Sequence, residues 1–310
     1  MTPFAAGATG PGAKAPGVSI ITVCRNAAAT MEACLQSVGK QSYRAFEHIV
    51  IDGGSTDGTL EILRRHANAI ATLVSEPDRG IYDAMNKGIA RARGTFVIFL
   101  NADDFFAGPH ALRDAMAEID AQPDDDVYYG GLVVRDAGVS HRYMPPPPEL
   151  AVEEMVLGCL PHQATFARRA VFDRTGLFDL RWRRHADYDW WLKVLADPAI
   201  RIRRIGTYVA SFALGGASSE LAKGQPEVFA IQNASPIYRS AQWDKRRIEI
   251  LQAAWLTARI EAARLREATR SGSALAGMNW KGRLAARLPP SVVRSLQTAK
   301  RRIFGASGAG

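Results

Sequence analysis

The sequence predicts an α/β protein with a mostly parallel central sheet and helices on both faces. Three observations carry this prediction. Apolar runs of strand length alternate with helix-patterned segments over about 85 residues. The runs are continuous rather than alternating, as in strands covered on both faces. Polar residues collect directly after each run, where such sheets bind ligands.

Residues 18–24, VSIITVC, form the first run, and Met31, Leu35 and Val38 then recur at helical spacing. FEHIVID (46–52) is the second run and ends in the turn cluster GGSTDG, with Asp57 placed to cap the following helix, TLEILRRHA. IATLVSE (70–76) is the third, IYDAMNKGIARAR its helix, and TFVIFL (95–100) the fourth. Arg25 and Asn26 follow the first run and Asp52 to Asp57 the second. Glu76, Asp78 and Arg79 follow the third, and Asn101, Asp103 and Asp104 the fourth. Four polar loops on one sheet edge predict a ligand site there.

The second half is less regular. DDVYYGGLVV and VSHRYM read as a hairpin, PPPP (145–148) as a breaker, QATFARR as a short strand, DYDWWLKVLAD as a helix and IRRIGTYVASFAL as one or two strands. Residues 1–17, rich in Gly, Ala and Pro, read as a disordered lead rather than a secretion signal. No run of about 18 apolar residues is present to span a membrane. Cys24, Cys34 and Cys159 form no C-x-x-C pair, which predicts a reduced, cytoplasmic protein.

The net charge of +8 is unevenly placed. Residues 239–310 hold 15 Lys/Arg against 4 Asp/Glu, so the body is slightly acidic and the basic character belongs to the tail. The segment AQWDKRRIEILQAAWLTARIEAARL sets Trp243, Leu251, Trp255, Ala258, Ala262 and Leu265 near one helical face, and RLAARLPPSVVRSLQTAKRRIF is a second basic, apolar-faced segment. Basic amphipathic helices either lie on anionic membranes or pack on the body with a solvated face. No aromatic-studded RNA motif or helix-turn-helix accompanies the charge, so nucleic acid is not an expected partner.

The G-x-G-x-x-G spacing of dinucleotide-binding enzymes is absent after the first strand, as is the G-x-x-x-x-G-K-[ST] of P-loop NTPases. The NADD cluster (101–104) reads either as a surface turn or as oxygen ligands that hold Mg²⁺ or Mn²⁺ against a diphosphate.

Taken together, VSIITVCRNA, IDGGSTDGT and EPDRGIYDAMNKGIARARGTFVIFLNADD closely resemble family 2 glycosyltransferases of the GT-A fold, most of all bacterial enzymes of the colanic-acid and exopolysaccharide type. LPHQATFARRAVFDRTGLFDLRWRRHADYDWWLKV and FALGGASS extend the resemblance to about residues 17–220. It implies an inverting sugar transferase with a nucleotide-sugar donor, a divalent metal and a glycan or lipid-linked acceptor. Thr22, Val23 and Asp52 would approach the nucleoside; Glu76, Asp78 and Arg79 would line the donor pocket; Asp103 and Asp104 would form the metal-diphosphate site. The family's base aligns with Asp187, with Asp189 two positions on as the fallback. Two departures stand out: Gly53 follows Asp52 where a second acid is common, and Asn101 begins the metal motif where Asp is common.

These expectations divide the chain into a lead (1–17), a GT-A domain (18–238) and a basic helical tail (239–310). Residues 18–108 would be the donor-binding half of the domain and 109–238 the acceptor-binding half. The enzyme would be cytoplasmic, at the inner face of the membrane if the tail binds it. His162 is either a hydrogen-bonded core histidine or a donor or acceptor contact, and Trp190 either packs its helix or faces a sugar ring. Two rival functions are a sugar-nucleotide nucleotidylyltransferase, which would need a Gly-rich basic loop in place of VCRNAAATME, and a catalytically inactive binding scaffold, against which Asp103, Asp104 and Asp187 argue.

Overall fold

A computed structural model describes residues 16–136, 139–213 and 221–270. Strands β1 (Val18–Cys24), β2 (Phe46–Asp52), β3 (Thr72–Ser75) and β4 (Phe96–Phe99) pair in parallel in the order β3-β2-β1-β4. Helices α1 (Met31–Gly39), α2 (Thr59–Arg65) and α3 (Ile81–Ile89) connect them. Alternate residues of each strand serve opposite cores, which is why the runs are largely apolar rather than alternating. Ile21, Val23, Ile49, Ile51, Val97 and Phe99 pack with Met85 of α3 on one face. Ile20, Val50, Phe96 and Ile98 pack with Leu35 of α1 and Leu63 of α2 on the other.

The remaining strands extend the same sheet: β5 (Phe105–Phe106), β6 (Val127–Asp136), β7 (Val139–Tyr143), β8 (Thr165–Arg168) and β9 (Ile202–Ala213). The full order is β3-β2-β1-β4-β8-β6-β9-β5, with β7 on β6. Here the pattern turns mixed, because β8 lies antiparallel between β4 and β6 while β6 and β9 run parallel. Helices α4 (Ala111–Ala121), α5 (Ala151–Leu157), α6 (Val171–Thr175), α7 (Ala186–Ala196), α8 (Leu221–Ala234) and α9 (Ala241–Arg270) complete the described chain.

Two local expectations change. Asp57 does not sit at the cap position of α2, which Gly58 occupies. Its carboxylate instead accepts from the Thr59 amide at 3.0 Å and from the Ala28 amide at 3.0 Å, so it ties the loop after β1 to the loop after β2. The single apolar face drawn for α9 also splits. Trp243 packs edge-on against Tyr238 at 5.3 Å between centroids and Leu251 is half-buried, yet Trp255 is 60% exposed. The lead up to Ala15 and the second basic segment lie outside the described residues.

Candidate active site

The carboxyl ends of β1 and β4 open on a cleft of about 450 Å³. Its rim on the β1 side is Val23 to Ala27. Asn26 adopts a left-handed conformation (φ 51°), which Asn tolerates better than most residues. That turn lets its side-chain Oδ1 accept from the Thr56 amide at 2.9 Å while its own amide donates to Ser55 Oγ at 2.8 Å. The first two polar loops are thus bolted together before any ligand arrives.

The NADD loop lines the cleft through Asn101, Ala102, Asp103 and Asp104. Asp103 is exposed, whereas Asp104 is 1% exposed. Neither carboxylate oxygen of Asp104 has a hydrogen-bond partner, and Asn101 Oδ1 is likewise buried and unpaired. Burial and then the like charge of Asp103 push the Asp104 carboxyl up to about 7, against the weaker pull of His162, the Ala213 backbone and Arg135. Arg135 holds the loop from outside, donating to the Asp103 carbonyl at 2.8 Å and lying over the Phe105 ring at 4.0 Å. An all-oxygen set of buried, unsatisfied acceptors suits a hard divalent cation. Among the described residues no three His, Cys, Asp or Glu gather into a cage, so such an ion would need other oxygens to complete its shell.

Across the cleft, at the start of α7, both oxygens of Asp187 are engaged. Oδ1 accepts from the Tyr82 hydroxyl at 2.6 Å and Oδ2 lies 2.9 Å from His162 Nδ1. With Nδ1–H donated to Asp187, His162 Nε2 faces Asn101 Nδ2 at 3.4 Å, linking this carboxylate to the NADD loop. Burial raises the Asp187 carboxyl, but His162, Tyr82 and His185 outweigh it and hold the group down at about 2. His162 is itself raised above its ordinary value, since Asp187, Asp104 and Asp103 overcome its burial. The ionised state of Asp187 is thus held by its side-chain neighbours.

Of the residues named from sequence, Val23, Asp103, Asp104, His162 and Asp187 line this cleft, as do Arg25, Asn26 and Asn101 of the polar loops. Thr22 does not: it is buried behind the rim, 2.9 Å from His48 Nε2. Asp52 is fully buried, and its carboxylate accepts from the Gly54 and Ser55 amides and from Ser75 Oγ, shaping its own loop. Glu76 and Arg79 are exposed outside the cleft, paired with Lys87 and Asp83 at 2.8 Å each. Asp78 is also outside it, and its carboxylate occupies the space that a side chain at Gly53 would enter. Trp190 turns into the core, stacked on Phe172 and donating to Thr175 Oγ1 at 2.9 Å. Asp189 points to a further face of α7 and pairs with Lys193 at 2.7 Å.

The sequence reading missed Tyr82, and it missed Arg183, Arg184 and His185, which line the cleft beside Asp187. Tyr82 sits inside the quoted stretch EPDRGIYDAMNKG, so the signal was at hand but read only as helix.

A sequence profile described as Glycosyl transferase family 2 matches residues 19–177, about half of the chain. The chain belongs to this family. The glycosyltransferase is 35% identical over 215 residues to a PGL/p-HBAD biosynthesis glycosyltransferase of Mycobacterium tuberculosis, covering 67% of this chain and 81% of the relative. In fold it is similar to mannosyltransferase PcManGT from Pyrobaculum calidifontis, solved with GDP-Man and Mn²⁺ (TM-score 0.57, 20% identity, 97% of this chain and 91% of that one). It is also similar to S. aureus TarS 1–349, solved with UDP-GlcNAc (TM-score 0.56, 22% identity, 76% and 71%). The GT-A architecture of the transferase follows from these likenesses.

Proposed function

We propose that this glycosyltransferase inverts the anomeric centre of a nucleotide-diphosphate sugar as it passes that sugar to a hydroxyl of a glycan or lipid-linked acceptor. The single observation that carries the reading is the pairing, across one cleft, of a partnered, ionised Asp187 with an unpartnered oxygen cluster on the NADD loop. The acceptor hydroxyl attacks the anomeric carbon and gives its proton to Asp187, while the bond from that carbon to the diphosphate oxygen breaks and the nucleoside diphosphate leaves. Asp187 as general base is worth about 10²- to 10⁴-fold in rate. His162 and Tyr82 fix its carboxylate in one orientation, so it meets the hydroxyl without reorganisation. Asp103 and Asp104 would hold Mg²⁺ or Mn²⁺ with the diphosphate supplying further oxygens, and such an ion offsets the charge that builds on the leaving group.

The test is a donor panel of UDP-glucose, UDP-GlcNAc and GDP-mannose, scored by thermal shift with and without Mn²⁺ and by nucleoside-diphosphate release. Asp187→Asn should keep the thermal shift and lose release and transfer. A full-rate Asp187→Asn enzyme would remove the base assignment, and donor binding without turnover in the unaltered protein would favour an inactive scaffold.

A second proposal concerns α9, whose outer side exposes Ile248 (53%), Trp255 (60%), Leu256 (54%) and Ile260 (44%), with Arg259 over the Trp255 ring at 5.1 Å. With a tail carrying 15 cations against 4 acids, this face suits an anionic membrane surface that presents a lipid-linked acceptor. Among the described residues no helix is long and apolar enough to cross a membrane. Removing residues 240–310 should weaken sedimentation with phosphatidylglycerol vesicles, and equal binding would refute this reading.

A further inference from the structure

The backbone that leads into α7 runs past Glu227, a residue of α8 more than 40 positions later. Three consecutive amides converge on its side chain. Arg183 N–H donates to Oε2 at 3.1 Å, and Arg184 N–H and His185 N–H donate to Oε1 at 2.8 Å each. Successive amides turned toward one point form a concave donor site that favours an anion, and here the protein fills the site with its own carboxylate. One turn earlier on α8, Gly224 allows close approach: a Cβ there would lie 2.5 Å from His185 Cε1. The helix therefore grips the 183–185 segment by a charge-assisted clamp and by van der Waals contact. Asp187 begins two residues beyond the clamp.

The same helix forms part of the cleft, since Gly224, Gln225 and Val228 line it. Arg183, Arg184 and His185 line it too, and the Arg184 carbonyl lies 2.9 Å from the Tyr82 hydroxyl that also bonds Asp187. Glu227 thus sets the height of the backbone on which the base rides and of the carbonyl that competes for the base's tyrosine.

We infer that Glu227 is the positioning residue of this active site, locking the Arg183–His185 amides so that Asp187, His162 and Tyr82 keep their register over the cleft. The inference deepens the transferase reading and rests on it for its catalytic consequence. Its structural half, protection of three amides by one carboxylate, can be read without any turnover. Misplacing a reacting group by about 1 Å commonly costs up to 10²-fold in rate, which sets the scale expected.

The experiment uses the full-length protein, Glu227→Ala and Glu227→Gln. Gln keeps one accepting oxygen, so it should restore part of what Ala loses. Amide exchange at Arg183–His185 should rise about 10-fold or more in Glu227→Ala, less in Glu227→Gln, with the sheet unaffected. Turnover of whichever nucleotide sugar in the panel the unaltered enzyme uses should fall about 10- to 100-fold in kcat, with KM for that sugar within about threefold. Unchanged exchange, or deprotected amides with unchanged kcat, would overturn the inference. Exchange rising across the whole chain would also overturn it, by making Glu227 a general scaffold residue. If no sugar is turned over by the unaltered enzyme, the transferase reading fails, while the exchange arm still decides the clamp.

Discussion

Tyr82 and Asp187 lie 105 positions apart in the chain and meet, hydroxyl to carboxylate, at 2.6 Å. Tyr82 comes from α3, which follows β3, and Asp187 from α7, the second helix after β8, so the contact joins the two halves of the fold over the cleft. Tyr82→Phe should leave the ring packing against Phe178 intact and remove one orienting bond. The expected loss is about 1 kcal/mol of stability and about 10-fold in kcat, read by urea melts and initial rates. An unchanged rate would mean that His162 alone orients the carboxylate.

Asp104 invites a different substitution. A buried carboxyl with no partner is costly, and a neutral isostere relieves that cost. Asp104→Asn should therefore match or exceed the metal-free stability of the unaltered protein. It should also lose the extra thermal shift that Mn²⁺ and UDP together produce. Retention of that shift would move the metal role to Asp103.

Trp190 tests whether an aromatic three residues beyond Asp187 belongs to the site. Its ring is stacked on Phe172 at 5.3 Å and its N–H is satisfied by Thr175, so Trp190→Phe should cost about 1–2 kcal/mol of stability. Donor-induced thermal shifts should not change. A lost shift with a normal fold would place the residue in the site after all.

His48 supplies a pH prediction. Burial lowers it from 6.5 to about 4. Between those values the unfolded chain binds a proton that the folded protein refuses, so stability is lost as pH falls from 6.5 through 4. The full effect is about 3 kcal/mol. His48→Gln can still meet the Thr22 hydroxyl but does not titrate, so its stability should be flatter over that range. Parallel acid curves would show that His48 is not the group responsible.

The first half of the fold was legible because β1, β2 and β4 are buried on both faces and announce themselves as runs, and because parallel connections leave every polar loop at one edge. The second half was harder for a physical reason. β8 is four residues long and antiparallel to both of its neighbours, and α8 carries Pro226 inside a weakly patterned stretch. Asp187 could be found because it sits in a motif. Asp52 and Trp190 show the limit of that approach, since a motif names a residue without saying which way its side chain turns. Glu227 had no local signal at all; its partners are backbone amides of a distant loop, and an amide looks the same under every residue.

The unbroken hydrogen-bond ladder from β3 to β5 has an evolutionary corollary. The portions before and after residue 108 are parts of one sheet, sewn together by β8 against β4. A break after residue 108 would strip β4 of β8 and β9 of β5, leaving β8 and β9 with exposed edges, so neither fragment should fold unaided. New preferences of the cleft would then arise by changing side chains around a fixed frame, at α8 and the 183–185 segment, rather than by exchanging one half for another.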